Sequence, residues 1–357
     1  MKRRVLQKII SLSLLATLIL LTASCGDAND LGPNTIKDSK IKIGLSMATL
    51  REERWQKDTD ILVAKAKAKG AEVIVQNANN SQDDQISQVK YLLDQNIDIL
   101  MIVPQDADKS IEAVELAKKK GIKVICYDRL IKNANVEYYI SFDNILVGEG
   151  IASTITKKVP RGNYLIINGA PTDNNSFMYN TGIKNILQPY IDSGSIKLID
   201  ETWAEDWRPE DSFKFVEKAL QNNEHIDAII AANDNLAGAA IEALSEKQLA
   251  GSVFVGGHDA DISGCQRVAE GTQYVTIYKP IEQLATKAID VAIGLIENGT
   301  YESNSFINDG KYSVPYQKIT PIIVTRDNLM TTVIKSGFHR MEDVYLNVPK
   351  SQWPPLN

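Results

Sequence analysis

Ile41-Lys42-Ile43-Gly44-Leu45-Ser46-Met47 is a short apolar run, and it is followed by the polar run Leu50-Arg51-Glu52-Glu53-Arg54-Trp55. An amphipathic stretch over 53–68 comes next, closed by Gly70, and then Glu72-Val73-Ile74-Val75-Gln76. Strand, helix and strand in this order form a βαβ unit, whose strands run parallel and whose crossover is right-handed. The carboxyl ends of its strands therefore share one edge, where an α/β sheet holds its ligand. The 50–55 run falls on that edge. A guanidinium donates hydrogen bonds in a fixed fork and an indole offers a flat apolar face. The pair suits a sugar, with hydroxyls around its rim and C–H bonds on its faces. The same residues read equally as a helix start whose charges face water and whose Trp55 caps the core.

Outward from this unit the pattern repeats. Helices are expected at 83–94 and 107–119, the second closed by Gly121, with strands at 97–103 and 123–127. A second series follows a strand at 138–142. Its helices fall at 145–157, 176–191, 209–221, 236–247 and 262–270, and its strands at 163–168, 196–201, 228–231, 253–255 and 274–277. Lys279-Pro280 then opens a long helix to residue 295. Short strands rich in Ile and Val between amphipathic helices belong to parallel sheets covered on both faces. The expected fold is α/β: two doubly wound parallel-sheet lobes, a ligand cleft between them and a three-segment hinge. The expected division is 41–143 plus 280–309 for one lobe, 144–279 plus 310–340 for the other, and a tail at 341–357 lying as an extended strap on the surface.

The start of the chain indicates the compartment. Lys2, Arg3, Arg4 and Lys8 precede an uncharged apolar run at 9–21, followed by Thr22-Ala23-Ser24-Cys25-Gly26. A basic start, an apolar core short for a membrane span and small residues at the cut read as a signal peptide over 1–24. An uncleaved anchor helix is the alternative. Ending on Cys25, the segment resembles a lipobox, in which that Cys becomes the lipid-modified first residue, although Thr22 stands where Leu is usual. Residues 25–40 read as a flexible tether. The expected place is thus extracytoplasmic, lipid-anchored to the cell membrane.

Residues 1–24 hold four of the 39 basic residues and none of the 45 acidic ones, which leaves 35 against 45 and a formal charge of −10. Such a chain lacks the basic footprint that nucleic acid demands. Beyond Cys25 only Cys126 and Cys265 remain, in a strand and a distant helix, and they read as buried thiols, not a disulfide.

No nucleophile elbow, phosphate loop or dinucleotide fingerprint follows a strand. Of His225, His258 and His339, only His258 stands at a strand end, with no neighbouring His or Cys to complete a metal site. The Asn- and Asp-rich run at 77–84 lacks the Gly and terminal Glu of a calcium loop and reads as a helix cap. Asp259 and Asp261 could pair as carboxylates, but with neither nucleophile nor metal they point to no particular hydrolysis. The expectation is a binding protein with no cofactor, no metal and no catalytic residue.

Runs at these strand ends carry a resemblance that extends from about residue 42 to residue 339. They include 51–58, Tyr127-Asp128-Arg129-Leu130-Ile131, 139–144, Asp173-Asn174-Asn175, Gly271-Thr272-Gln273 and Tyr278-Lys279-Pro280-Ile281. In them the chain resembles the periplasmic sugar-binding proteins of ABC transporters, above all the members that bind D-xylose. The resemblance implies a sugar pocket of Arg54, Trp55, Asp128, Arg129, Asn175, Trp207, Asn233, Asp259 and Lys279. Trp207 is preferred over nearby Trp203 on the resemblance alone. It also implies a monosaccharide ligand, D-xylose first, captured by lobe closure by a monomer and delivered to permease subunits. Reporting the bound sugar to a membrane histidine kinase is the alternative. Other readings of the same residues stay open: Asp128-Arg129 as a structural ion pair, Asn233 as a helix cap, Lys279 as a hinge residue before Pro280. Ala48-Thr49 replaces acidic residues of the D-xylose-binding members and His258 a frequent Gln, so glucose or another aldose is an alternative ligand.

Overall fold

The computed structural model describes residues 40–355 except 223 and 304. The expected signal peptide, Cys25 and all of the tether but Lys40 lie outside the described residues. The first series runs β1 (Lys42–Met47), α1 (Glu53–Ala68), β2 (Glu72–Asn77), α2 (Gln82–Asp94), β3 (Ile99–Ile102), α3 (Ile111–Lys119), β4 (Lys123–Tyr127) and β5 (Tyr138–Phe142). The second runs α4 (Asn144–Lys158), β6 (Gly162–Asn168), α5 (Asn174–Asp192), β7 (Ile196–Trp203), α6 (Pro209–Gln221), β8 (Ala228–Ala231), α7 (Asp234–Ser245), β9 (Phe254–Gly256), α8 (Ile262–Glu270) and β10 (Thr276–Tyr278). Then come α9 (Ile281–Glu297), β11 (Phe306–Asn308), β12 (Ser313–Ile319), β13 (Ile322–Val324) and α10 (Met341–Val344).

Two sheets result. The first has the order β11-β12-β5-β4-β3-β1-β2 and the second β7-β6-β8-β9. A parallel bridge between Gly256 and Val275 carries the second sheet on to β10, which pairs antiparallel with β13. The helices dock through apolar faces at helical spacing. α1 buries Trp55, Asp58, Thr59, Leu62 and Ala66, and α9 buries Leu284, Ala285, Ala288, Ile289 and Ala292. Both faces pack on the same side of the first sheet with Ile43, Leu45, Met101, Ile125 and Tyr127. Thus α9, though it follows the second sheet in sequence, returns to the first lobe.

Two expectations require correction. Residue 310 is not a lobe boundary, because β12 hydrogen-bonds in parallel with β5, pairing Tyr316 with Tyr139 and Ile319 with Phe142. The chain leaves the first lobe for the last time between β12 and β13. Its three crossings, after β5, after β10 and after β12, include two that touch: Asp143 N donates to Ile319 O at 3.0 Å, and Tyr316 OH donates to Phe142 O at 2.6 Å. The tail is not an extended strap. Met341, Val344, Tyr345 and Val348 are buried against Cys265, Val268, Tyr278 and Leu329, and Gln266 Nε2 donates to Asp343 O at 2.8 Å. An apolar residue every three or four positions lets this segment turn and pack on α8. Cys126 and Cys265 are free and buried. Among the described residues no helix is long and apolar enough to cross a membrane.

Candidate functional site

The carboxyl ends of both sheets meet at a cavity lined by buried polar and aromatic side chains. The β1–α1 junction contributes Glu52, Arg54 and Trp55, and the end of β4 contributes Asp128 and Arg129. From the second lobe come Asp173, Asn175 and Tyr179 around the start of α5, then Trp207, Asn233, His258 and Asp259, with Lys279 from the crossing after β10. All nine residues named from the sequence line this one cavity. Glu52, Asp173, Tyr179 and His258 line it as well and were not in that set. Trp203 lies elsewhere, packed at a tilt against Phe177 with ring centroids 4.7 Å apart.

Arg54 is the centre of the charge network. Its guanidinium reaches Asp58 Oδ2 at 3.0 Å, Asp128 Oδ2 at 2.7 Å and, across the cleft, Asp259 Oδ1 at 3.6 Å. Arg129 does not pair with its neighbour Asp128 but with Asp173 of the other lobe, at 2.8 Å. Lys279 Nζ lies 2.7 Å from Asp259 Oδ1. Burial alone would raise the Asp128 carboxyl, but Arg54, Lys279 and Arg129 outweigh it and hold the group below its ordinary value. Burial is likewise overcome at Asp259, which Lys279, His258 and Arg54 hold well below the usual carboxylate range. Asp58 goes the other way: burial pushes it up to about 6 against the pull of Arg54. Burial lowers His258 to about 4 although Asp259 opposes it, so the ring is neutral.

The backbone holds these groups in uncommon conformations. Asp128, Trp207 and Asp259 have φ of 63°, 58° and 99°, in the region that side chains usually avoid. Such conformations persist where the surroundings over-determine them, and they gather at functional sites. At Asp128 the determinants are visible. Its N–H donates to Ile140 O at 2.8 Å, and its carbonyl accepts from Ser141 Oγ at 2.6 Å, Tyr139 OH at 2.9 Å and Asn175 Nδ2 at 3.1 Å. Asn175 is steadied in turn by Asn144 Nδ2, 2.9 Å from its Oδ1. Asn233 fills both roles open to it: its Oδ1 caps α7 by accepting from Leu236 N at 2.8 Å, and the residue lines the cavity. The Trp207 indole seats against Gly169, where a Cβ would stand 2.2 Å from Cη2, so only glycine admits the ring at this depth.

The cleft mouth is shut by contacts between the lobes. Arg51 donates to the Asp206 carbonyl, Gln105 Nε2 donates to Asp206 Oδ1 at 3.1 Å, and Ala107 N donates to Thr172 O at 2.8 Å. Arg51 therefore works at the rim, with Glu52 as its ion partner at 2.7 Å. Inside, several buried polar atoms have no hydrogen-bond partner in the protein: Glu52 Oε2, Trp207 Nε1 and Nε2 of His258. No cluster of His, Cys, Asp and Glu among the described residues could hold a metal.

Two facing α/β lobes that close on a buried polar cavity define a class of solute-binding proteins. Residues 43–300 match the periplasmic binding protein domain, and the chain belongs to that family. It is 44% identical over 306 residues to the D-xylose-binding periplasmic protein of Escherichia coli, covering 85% of this chain and 93% of that one. The protein of the same name from Haemophilus influenzae is also 44% identical, with 85% and 92% covered. Among solved structures, a carbohydrate transporter solute-binding protein from Chloroflexus aurantiacus in complex with D-glucose superposes with a TM-score of 0.79 at 28% identity, over 85% of this chain and 98% of that one. These relatives are binding proteins by name, and the chain is a binding protein likewise.

Proposed function

We propose that the protein captures a monosaccharide outside the cytoplasmic membrane, D-xylose in first place, and delivers it to the permease subunits of an ABC transporter. The observation that carries this reading is the set of buried, unpartnered polar atoms around a closed cavity whose other walls are ion pairs. Buried polar groups in proteins are almost always hydrogen-bonded. A ligand with hydroxyls on every side would meet these atoms at once. Asp128 and Asp259, both ionised, accept from adjacent hydroxyls, and Arg54, Arg129, Lys279, Asn175 and Asn233 complete the polar ring. Charge-assisted bonds of this kind are the strong ones. Trp55 and Trp207, from opposite lobes, cover the C–H faces. D-Xylose is favoured because the relatives at 44% identity carry that sugar in their names.

Binding on one lobe and closure of the other follow from the division of the ligands between lobes. Lipid attachment at Cys25, with residues 26–40 as a tether, would keep the protein beside its transporter. Titration of the purified protein with D-xylose, D-glucose, L-arabinose and D-ribose, followed by tryptophan fluorescence, tests the reading. Saturable quenching or enhancement with D-xylose, at lower concentration than with D-glucose, is expected. No response to any pentose overturns the pentose assignment, and no response to any of the four overturns the sugar reading.

A further inference from the structure

His258 is not among the nine residues that the family resemblance brought to the pocket, yet its surroundings leave it little else to do. It follows β9, its carbonyl is fixed by Asp234 N at 2.9 Å, and its ring packs 4.5 Å from the Tyr179 ring and 6.3 Å from that of Trp207. The residue is 2% exposed. Nδ1 faces Asp259 Oδ1 at 3.1 Å, the oxygen that Lys279 also approaches, and Nε2 has no hydrogen-bond partner in the protein. A buried imidazole nitrogen without a partner is rare in a native fold, and this residue lines the cavity.

We propose that His258 is a further specificity-determining residue, presenting the lone pair of Nε2 to one hydroxyl of the bound sugar. The inference rests on the sugar reading above. A neutral ring carries one proton, and the Asp259 carboxylate draws that proton to the nitrogen facing it, Nδ1. Nε2 is then an acceptor only. It pairs with a ligand O–H, and it rejects a ligand with hydrogen or an ether oxygen at that place, because the lone pair would stay buried and unpaired. Asn175 and Asn233 in the same lining cannot impose this requirement, since an amide carries both donors and an acceptor.

The test is calorimetric titration of wild type, His258→Leu and His258→Gln with D-xylose and its 2-, 3- and 4-deoxy analogues. One deoxy analogue is expected to bind wild type at least about 10-fold more weakly than D-xylose, and to bind His258→Leu no more weakly than D-xylose does. Glutamine, whose amide oxygen offers an acceptor at similar reach, is expected to keep the wild-type pattern within about threefold. Deoxy penalties of equal size in wild type and His258→Leu overturn the assignment. Should the leucine variant fail to fold, the ¹⁵N signal of the unprotonated ring nitrogen in the wild-type protein decides. It moves on addition of D-xylose if Nε2 accepts from the sugar, and a signal that stays put overturns the contact. Wild type that binds none of the sugars overturns the sugar reading itself, a result distinct from binding without coupling at His258.

Discussion

His258 and Asp259 are joined by one peptide bond, and burial acts on them in opposite ways. It holds His258 at about 4, whereas the cations around Asp259 keep that carboxyl charged in spite of burial. In the unfolded chain the histidine titrates near 6.5. Between those values the unfolded state binds the proton and the folded state does not, so stability is complete above pH 6.5 and is lost as pH falls toward 4. From pH 7 to pH 5 this residue alone should remove about 2 kcal/mol. Urea unfolding of the wild type and His258→Gln at the two pH values checks this. The wild type should lose that much more stability than the variant, and parallel losses would place the pH sensitivity in other groups. At the same scale, Trp207 owes its place to two things a sequence does not announce: a positive φ in its own backbone and the missing side chain of Gly169.

Helices α4 and α5 cross at two glycines. A Cβ on Gly148 would stand 2.1 Å from Tyr179 O, and one on Gly182 would stand 2.1 Å from Ile145 O. This close approach brings Asn144, at the head of α4, to Asn175, at the head of α5. Gly182→Ala should separate the pair. We expect a loss of about 3 kcal/mol in stability, together with weaker D-xylose binding through the displaced Asn175, measured by denaturation and titration of the same preparation. Unchanged affinity in a destabilised variant would show that Asn175 does not depend on the crossing. Element by element, legibility followed periodicity. The helix at 53–68 and the strand at 138–142 have the bounds read from the chain, because each is a clean apolar pattern with a stop signal or turn beside it. The β11–β12 hairpin escaped because its strands are short and Pro315 interrupts the second, although Val314 and Tyr316 alternate inward. The site residues at strand ends were legible through the edge rule and the family resemblance. Tyr179 was not, since it sits one turn into a helix; its spacing of four from Asn175, which puts both on one face, was the available signal. Asp173, quoted only as part of the 173–175 run, caps α5 by accepting from Asn175 N at 2.9 Å. Its partner Arg129 comes from the other lobe, which no local pattern encodes.

At the scale of the whole molecule, the two lobes are fastened by contacts that belong to neither alone. Arg129 to Asp173, Arg54 to Asp259 and Arg51 to Asp206 all cross the cleft. A further contact, Glu53 Oε2 accepting from Ile262 N at 2.9 Å, ties the head of α1 to that of α8. On the proposed reading, in which the lobes close on the sugar, these bonds would form together and a bridging ligand would shift the balance toward the closed state. The same pairs have a consequence for which solutes are admitted. Each cation in the cavity wall already faces a carboxylate of the protein: Arg54 meets Asp128, Arg129 meets Asp173, and Lys279 meets Asp259. A visitor bearing negative charge would find no free cation waiting, and taking a lone ion out of water is strongly unfavourable. D-Xylonate should therefore fail to bind where D-xylose succeeds. The D-xylose dissociation constant should also hold steady from about 20 mM to about 500 mM salt, since no net charge enters and the interior pairs are little screened. Calorimetry with both solutes across that range checks the point, and tight xylonate binding would reveal an unbalanced cation. With every one of its cations already answered from within, the pocket is a lock closed to the acids that share a sugar's shape.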